Sequence, residues 1–358
     1  MITIPEPGAL LAVVMVTHRC QLQCGYCELA RDGADLPEDL VARVMADLDR
    51  LVPAERPLIF VWHGGEPLMR GLPFFRWIHA TQAPMRARRR VRNVLQTNGL
   101  LLDEAFLDFL AETGDFRPNL SMDGPEAVTR ATRGVGTGVY EALFRRLQAR
   151  GIPFGLSVAA SPTFARHRDE ALAYFKALGI REVGLTPFQA CRGDSGAHPD
   201  LFADILLGGD GEPTAFAEPL MQGLRGHLDG GPCRLSAYSG GCHRHVICVD
   251  AEGTLHPCLR GKWSGLWTYG RVADGGLDVW WATTAGPAPF RPRLPEACGP
   301  CEWKEGCQGG CPSNALAMNG GADQPDFYCA SHRRLFEAFE RRRMEALLDS
   351  VEAQRPPS

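Results

Sequence analysis

The chain has 358 residues, of which 45% are hydrophobic, and a formal net charge of −4. This length allows one large α/β domain and a smaller one. The mild acidity argues against a nucleic-acid-binding surface, which needs clustered positive charge. No apolar stretch approaches the ~20 residues that span a bilayer. Because acidic Glu6 precedes the first apolar run and no basic segment opens the chain, we expect a cytoplasmic protein without a membrane partner.

The first half of the chain alternates apolar runs with amphipathic helical patterns. The predicted strands are Leu10–Val16, Leu58–His63, Val91–Thr97, Asn119–Met122, Ile152–Ala160 and Glu182–Pro187. The predicted helices between them cover about 40–51, 74–81, 103–112, 140–149 and 169–178. Six β/α units in succession predict a parallel sheet with helices outside it. Because a closed barrel needs eight units, we expect a partial, open (β/α)6 barrel of TIM-like type.

From about Cys191 onward, glycine, proline and cysteine become frequent and helical periodicity fades. This change predicts a barrel over 1–190, a linker or helical bridge over 191–232, and a cysteine-rich domain over 233–330. A C-terminal helix and frayed tail would follow over 331–358. Within these regions, the helical patterns cover Ala215–Leu228 and Ser331–Glu352.

Three cysteines, Cys20, Cys24 and Cys27, crowd the loop after the first predicted strand. The chain has 13 cysteines and no export signal, which favours metal ligation over disulfides. Three thiolates suit a 4Fe–4S cluster that keeps one iron open to a small chelating molecule. A zinc site would need a fourth ligand, for which His18 is the nearby candidate. The spacing alone leaves both interpretations open.

Polar turns follow the next three predicted strands. They read "HGGEP" (His63–Pro67), "QTNG" (Gln96–Gly99) and "SMDGP" (Ser121–Pro125). Each motif could be an ordinary turn. In a barrel-like α/β fold, however, all of them would lie on the rim that carries the cysteines. There Glu66 could hold a ligand ammonium, and the paired glycines would permit a ligand to approach closely.

The spacing Cys-x3-Cys-x2-Cys, with Tyr26 before the last cysteine and "GGEP" after the second strand, resembles the radical SAM superfamily. The resemblance implies that Cys20, Cys24 and Cys27 hold a catalytic 4Fe–4S cluster whose open iron chelates S-adenosylmethionine (SAM). One-electron cleavage of SAM then gives a 5′-deoxyadenosyl radical that abstracts a substrate hydrogen. The residues implied to contact SAM are Gly64, Gly65 and Glu66 at the amino group, Ser121 and Arg133 at the carboxylate and ribose, Tyr26 beside the adenine, and Asn98 as a looser match.

The second cysteine-rich motif is "CGPCEWKEGCQGGC". Four cysteines alone would suit a zinc ribbon. The whole pattern resembles the SPASM extension of radical SAM peptide-modifying enzymes, which carries two auxiliary 4Fe–4S clusters. The ligands implied for the first are Cys242, Cys258, Cys311 and one upstream cysteine, for which we choose Cys233 over the rivals Cys248 and Cys191. The ligands implied for the second are Cys298, Cys301, Cys307 and Cys329. Three clusters are therefore expected in all.

The motifs "QTNG", "SMDGP" and "CQGGCP" resemble those of the anaerobic sulfatase maturases, but one residue departs from that branch and narrows the predicted reaction. Those enzymes have an aspartate base directly after the cysteine that matches Cys258, whereas this chain has Leu259, which cannot accept a proton. Asp250 and Glu252 could substitute, but both are expected in the turn before Gly253. Relatives that lack this aspartate install C–C, C–O or thioether links within peptides or epimerise residues. The resemblance therefore implies oxidative cross-linking of a ribosomal peptide through a C–C, C–O or thioether bond.

The expected partners follow from this resemblance. They are a precursor peptide, a flavodoxin- or ferredoxin-type electron donor and, because only 19 residues precede Cys20, a possible separate leader-binding protein. The alternatives are a formylglycine-generating enzyme, a dehydrogenase of a small molecule such as an amino sugar, and a non-catalytic iron–sulfur or zinc protein. Glu66, Ser121 and Arg133 argue against the non-catalytic alternative, since an electron carrier needs none of them.

Overall fold

The computed structural model describes residues 8–180, 182–187, 196–217 and 242–353, with the side chains of the last helix described as far as residue 345. The strands are β1 (Leu10–Thr17), β2 (Leu58–Gly64), β3 (Val91–Thr97), β4 (Phe116–Ser121), β5 (Gly155–Ala160), β6 (Val183–Pro187), β7 (Val246–Val249), β8 (Thr254–His256) and β9 (Gly270–Arg271). In the described part of the chain they form one sheet in the order β6-β5-β4-β3-β2-β1-β7-β8-β9.

Strands β1 to β6 are parallel and neighbour one another in chain order. The helices in the described ranges are α1 (Glu38–Leu51), α2 (Leu72–Thr81), α3 (Ala83–Arg86), α4 (Glu104–Thr113), α5 (Glu126–Arg133), α6 (Gly138–Ala149), α7 (Pro162–Arg166), α8 (Arg168–Ala177), α9 (Leu201–Leu206), α10 (Leu259–Ser264), α11 (Gly276–Thr283), α12 (Lys304–Cys307), α13 (Pro312–Asn319) and α14 (Cys329–Ala353). The predicted succession of parallel β/α units is confirmed. Among the described residues, none of these helices is long and apolar enough to cross a membrane.

Strand β1 is buried along its whole length because both of its faces are covered. Leu10, Val14 and the other residues of one face pack in the large core between the sheet and the helices. The opposite face contributes to a second apolar group, here called the inner cluster, which comprises Ala9, Leu11, Val13, Met15, Leu29, Ile59, Val246 and Cys248. Strands buried on both faces read as continuous apolar runs, which explains why this strand was visible in the sequence.

Strand β4 begins three residues earlier than predicted, at Phe116. Its burial alternates: Phe116 and Leu120 are buried, whereas Asn119 and Ser121 are only partly buried. Arg117 and Pro118 interrupt the apolar pattern, so the sequence did not indicate that the strand begins at Phe116. Helix α5 was also missed, because its eight residues are largely polar and form only about two turns.

The C-terminal part of the chain joins the sheet through β7. This strand lies parallel to β1, with Leu11 opposite Val246 and Val14 opposite Val249. The β8 and β9 strands then extend it in antiparallel fashion. Arg56 stabilises this junction, since its guanidinium donates to the carbonyl oxygens of Gly8 (2.8 Å) and Arg244 (2.6 Å). Most of the predicted helix Ala215–Leu228 lies outside the described residues, as do Cys191 and Cys233.

Candidate active site

The loop that carries Cys20, Cys24 and Cys27 leaves β1 at the carboxyl edge of the sheet. Two carboxylates fix its start, because Asp35 pairs with Arg19 (2.7 Å) and Asp32 contacts the His18 Nδ1 atom (2.9 Å). The amide of Gly25 donates to the carbonyl oxygen of Thr132 in α5 (2.9 Å). The three-cysteine loop is therefore attached at both its start and its middle.

The three thiols of this loop lie close enough for their charges to interact. Burial raises the pKa of Cys20 and of Cys24 above the ordinary thiol value, so these groups need a nearby cation to ionise. Iron supplies such a charge, and thiolate sulfur is the ligand that iron–sulfur clusters use. Within the described ranges, no three Cys, His, Asp or Glu side chains converge as the ligands of a single metal ion would.

The two glycines at the end of β2, Gly64 and Gly65, lie against the start of the cysteine loop. Gly64 has a φ of 130°, and a Cβ built on it would stand 2.1 Å from the carbonyl oxygen of Thr17. A Cβ on Gly65 would stand 2.2 Å from the carbonyl oxygen of Arg19. Main-chain hydrogen bonds join the two segments, from Gly65 to Thr17 and from Glu66 to Arg19, each 2.8 Å long. These positions require glycine because two main chains meet there.

Glu66 is fully buried beneath the same rim. Its Oε1 atom accepts hydrogen bonds from the Leu68 amide (3.0 Å) and the Thr97 hydroxyl (2.7 Å), and its Oε2 atom accepts one from the Asn98 amide (2.8 Å). Burial raises its pKa to about 7, although these hydrogen bonds oppose the shift. The described ion pairs include none to Glu66, so a ligand ammonium would supply the charge that this carboxylate lacks.

Asp123 organises the opposite side of the rim, although its sequence pattern did not single it out. This fully buried residue pairs with Arg133 of α5 (3.0 Å) and accepts hydrogen bonds from the hydroxyl groups of Tyr26 and Thr132, each at 2.8 Å. The amide of Ala159 also donates to it (3.0 Å). The guanidinium of Arg133 lies 5.5 Å from the centre of the Tyr26 ring. The available signal was its place in "SMDGP", directly after a strand.

Tyr26 is held as a hydrogen-bond donor by these surroundings. Burial, followed by the negative charge of Asp123, raises the pKa of Tyr26 well above its ordinary value. Its hydroxyl therefore remains protonated and points at the Asp123 carboxylate rather than away from it. This bond attaches the last turn of the cysteine loop to β4 and α5.

The two remaining candidates lie on neighbouring strand ends. The Ser121 hydroxyl accepts a hydrogen bond from the Gln96 side chain (2.8 Å). The Asn98 side chain accepts one from Gln21 (3.1 Å), a residue of the cysteine loop. The described contacts therefore bring the predicted residues Tyr26, Gly64, Gly65, Glu66, Asn98, Ser121 and Arg133 to one edge of the sheet, around the three cysteines.

The C-terminal cysteines separate into two groups by their mutual charge interactions. The first auxiliary set comprises Cys242, Cys258 and Cys311. The second auxiliary set comprises Cys298, Cys301, Cys307 and Cys329. Burial raises the pKa of Cys242 and of Cys307 to about 12, so both sets again favour a bound cation. The assignment of these two sets as cluster ligands stays a prediction.

Cys248, a rival for the unassigned ligand, is fully buried on β7 opposite Val13. It lies within charge-interaction distance of Cys258, and burial raises its pKa well above the ordinary value. The other two candidates, Cys233 and Cys191, lie outside the described residues. The choice among the three therefore stays a prediction.

The fold and the rim define an α/β protein that gathers three thiols, a buried carboxylate and an arginine at the carboxyl edge of a parallel sheet, with two further thiol groups beyond it. Residues 14–161 match the family model of the Radical SAM superfamily. These residues form a radical SAM domain, and members of that superfamily use a 4Fe–4S cluster and SAM. The chain is an enzyme, and its C-terminal part is rich in cysteine.

Three named proteins are similar to this chain over most of its length. The cysteine-type anaerobic sulfatase-maturating enzyme of Clostridium perfringens (strain 13 / Type A) is 24% identical over 94% of this chain and 97% of its own. The PqqA peptide cyclase of Granulibacter bethesdensis is 27% identical over 96% and 93%. The solved structure of native anSMEcpe with bound AdoMet and Cp18Cys peptide has a TM-score of 0.80 at 20% identity, covering 95% of this chain and 99% of that one.

Proposed function

We propose that this enzyme modifies a ribosomally made peptide by oxidative cross-linking, with SAM as the source of the oxidising radical. Cys20, Cys24 and Cys27 would hold the cluster. Together, the cluster and SAM supply one-electron cleavage of the sulfonium and abstraction of a substrate hydrogen atom. The two auxiliary sets would hold two further 4Fe–4S clusters, giving three in all, with Cys233 as the preferred eighth auxiliary ligand.

The residues of the rim would bind and orient SAM. Glu66 presents an uncompensated carboxylate to an ammonium group, beside the main chain of Gly64 and Gly65. Arg133 and Ser121 would contact the carboxylate and ribose, and Tyr26 would lie beside the adenine. Asn98 would support this end of the site through Gln21. Burial of Glu66, Asp123 and Arg133 would keep water away from the reacting centre.

The proposal of peptide cross-linking rests mainly on the position of Leu259. This residue begins α10, directly after Cys258, and packs against the inner cluster, as Cys27 also does. An apolar side chain therefore packs against the same cluster as the cysteine loop, at the position where the resemblance implies the aspartate base of a sulfatase maturase. Without a proton acceptor, oxidation of a substrate thiol or hydroxyl to an aldehyde loses its expected base.

Asp250, one of the two substitute bases suggested by the sequence, is poorly suited to replace it. Asp250 is almost fully buried and contacts His256 (2.9 Å) and Lys262 (3.0 Å). Burial would raise its pKa, but the hydrogen bonds from His256, Thr254 and Lys262 lower the pKa below its usual range. Asp250 also accepts the amide of Glu252, so both residues lie in the turn before Gly253, as expected. A carboxylate so tightly paired is a weak base.

The similar proteins support a peptide as the substrate class. One is named for sulfatase maturation, another for cyclisation of the PqqA peptide, and the solved structure contains a bound peptide. A flavodoxin- or ferredoxin-type protein would supply the electron. A separate protein could present the leader of the precursor peptide.

Mass spectrometry of a candidate precursor peptide co-expressed with the enzyme tests this proposal. We expect a loss of two hydrogen atoms, which fragmentation would assign to two linked side chains. The matched control replaces Cys20, Cys24 and Cys27 with alanine and should leave the peptide unchanged. An unmodified peptide in cells where the wild-type enzyme consumes SAM would contradict the peptide assignment, and a single aldehyde product would favour the formylglycine reaction.

A further inference from the structure

Asp326 is a buried carboxylate between α13 and α14, and only 2% of its surface is exposed. Its Oδ2 atom accepts hydrogen bonds from the Cys311 amide (2.7 Å) and the His332 Nε2 atom (3.0 Å). Its Oδ1 atom accepts from the Tyr328 amide (3.0 Å) and the Asn314 side chain (3.1 Å). Four donors around one buried carboxylate form a densely satisfied site, which is costly to disrupt.

The donors of this carboxylate come from segments that carry both auxiliary sets. Cys311 belongs to the first auxiliary set and precedes α13. Cys329 belongs to the second auxiliary set, begins α14, and donates its amide to the Asp326 carbonyl oxygen (2.9 Å). His332 lies one turn further along α14. A single residue therefore contacts the main chain of one cysteine from each set.

The loop before Cys311 is pressed against the same side chain. A Cβ on Gly310, which has a φ of 68°, would stand 2.5 Å from the Cβ atom of Asp326. The amide of Asp326 donates to the Gly309 carbonyl oxygen (3.1 Å). On the other side, Arg291 donates to the carbonyl oxygens of Gly309 (3.0 Å) and Gly310 (3.1 Å). The segment Gly309–Gly310 is thus held between the Asp326 residue and the Arg291 guanidinium.

We propose that Asp326 is a positioning residue that holds the two auxiliary sets in one fixed arrangement, so that the two auxiliary clusters assemble together rather than independently. This inference rests on the proposed auxiliary clusters, but it does not depend on the substrate or on the bond formed. The carboxylate has a second consequence. Because an added electron makes a thiolate-bound cluster more negative, an adjacent anion disfavours reduction and keeps the reduction potentials low.

The experiment uses the full chain, purified anaerobically, with Cys20, Cys24 and Cys27 replaced by alanine so that all remaining iron belongs to the auxiliary sets. In this background we compare Asp326→Ala, Asp326→Asn and, as a matched control, Asp323→Asn, which alters an exposed carboxylate of the same loop. The measurements are iron and sulfide per chain, the electron paramagnetic resonance spectrum after reduction, and the midpoint potentials.

We expect Asp326→Ala to lose more than half of the auxiliary iron, with the signals of both sets declining together, while Asp323→Asn keeps the parent values. Asp326→Asn keeps the side-chain size and one acceptor oxygen but removes the charge, and its retained clusters should shift to more positive potentials. Full iron in Asp326→Ala, or loss from one set alone, would overturn the inference.

The asparagine variant keeps the test decisive if the alanine variant does not fold. Retained iron with unchanged potentials in Asp326→Asn would also count against the proposal, since a purely structural residue would leave the potentials where they are. If the parent background itself carries no iron, the auxiliary clusters and this inference both fail. An unmodified peptide, by contrast, would leave the inference standing.

Discussion

Gly65 lies so close to Arg19 that any side chain at this position would collide with the Arg19 carbonyl oxygen, 2.2 Å from an ideal Cβ. This contact joins the end of β2 to the loop that carries the three cysteines. Because the obstacle is main chain, it cannot move aside as a flexible side chain would. The geometry of the cysteine loop therefore depends on the absence of a Cβ at Gly65, directly after the neighbouring strand β2.

Replacement of Gly65 with alanine should displace the cysteine loop. We expect iron bound by the catalytic site to fall severalfold and stability to fall by about 3 kcal/mol, the upper range for overpacking. Iron analysis and thermal unfolding would measure both effects. Gly25→Ala is the matched control within the same loop, because nothing lies within 4 Å of its ideal Cβ. Equal iron content in the two variants would contradict this explanation of the glycine.

Glu66 should make stability depend on pH. Burial raises its pKa from the ordinary value of 4.5 to about 7. The Glu66 carboxyl group therefore binds its proton more tightly in the folded protein than in the unfolded chain. Its stabilising contribution is therefore full below about pH 4.5 and is lost as the pH rises through 7. Across this pH range, the contribution of Glu66 to the free energy of unfolding should change by about 3 kcal/mol.

Glu66→Gln isolates this effect because it cannot ionise. Between pH 5 and pH 8, we expect the melting temperature of the wild type without SAM to fall relative to that of the glutamine variant. Saturating SAM should reduce the difference at pH 8, because a ligand ammonium compensates the carboxylate. A constant difference across this range would show that Glu66 does not titrate there.

Removal of the Asp123 charge should destabilise the rim. Asp123→Asn leaves the buried Arg133 guanidinium without its anionic partner, and the loss of one member of a buried ion pair typically costs about 3–5 kcal/mol. Affinity for SAM should also fall, because the amide keeps only one acceptor oxygen where the carboxylate offers two to Tyr26, Thr132 and Ala159. Chemical unfolding and equilibrium dialysis would measure the two effects.

Asp169→Asn is the surface comparison for this variant. Asp169 pairs with Arg168, but 77% of its side chain is exposed, so we expect a change below about 1 kcal/mol and unaltered SAM affinity. If both substitutions had similar small effects, the buried pair would not be important for the site.

The apolar side chain of Leu259 should be required for a high yield of cross-linked peptide. Leu259→Met conserves its packing against the inner cluster and should retain cross-linking within about twofold. Leu259→Asp places a charge against that cluster, so we expect SAM cleavage to continue while the cross-linked product falls at least about tenfold. Quantitative mass spectrometry of peptide and 5′-deoxyadenosine would separate the two outcomes. Equal product from both variants would mean that Leu259 does not face the reaction.

The sequence by itself determined the features that are written in local patterns. The cysteine spacings, the apolar run of β1 and the glycine pair after β2 each lie within a few neighbouring residues, and periodicity or spacing is enough to recognise them. It also indicated the common rim, because the carboxyl ends of successive parallel strands must lie at the same edge of the sheet.

Only the tertiary structure decided the contacts between distant segments. Tyr26 meets Asp123 across 97 positions of sequence, and β7 pairs with β1 more than two hundred positions upstream. In the sequence, Asp326 resembles any loop aspartate; in the structure, four hydrogen-bond donors surround its carboxylate. Buried charges need hydrogen bonds or an ion pair inside the protein, because they are no longer solvated by water. The partners come from distant segments, so no local sequence pattern identifies them.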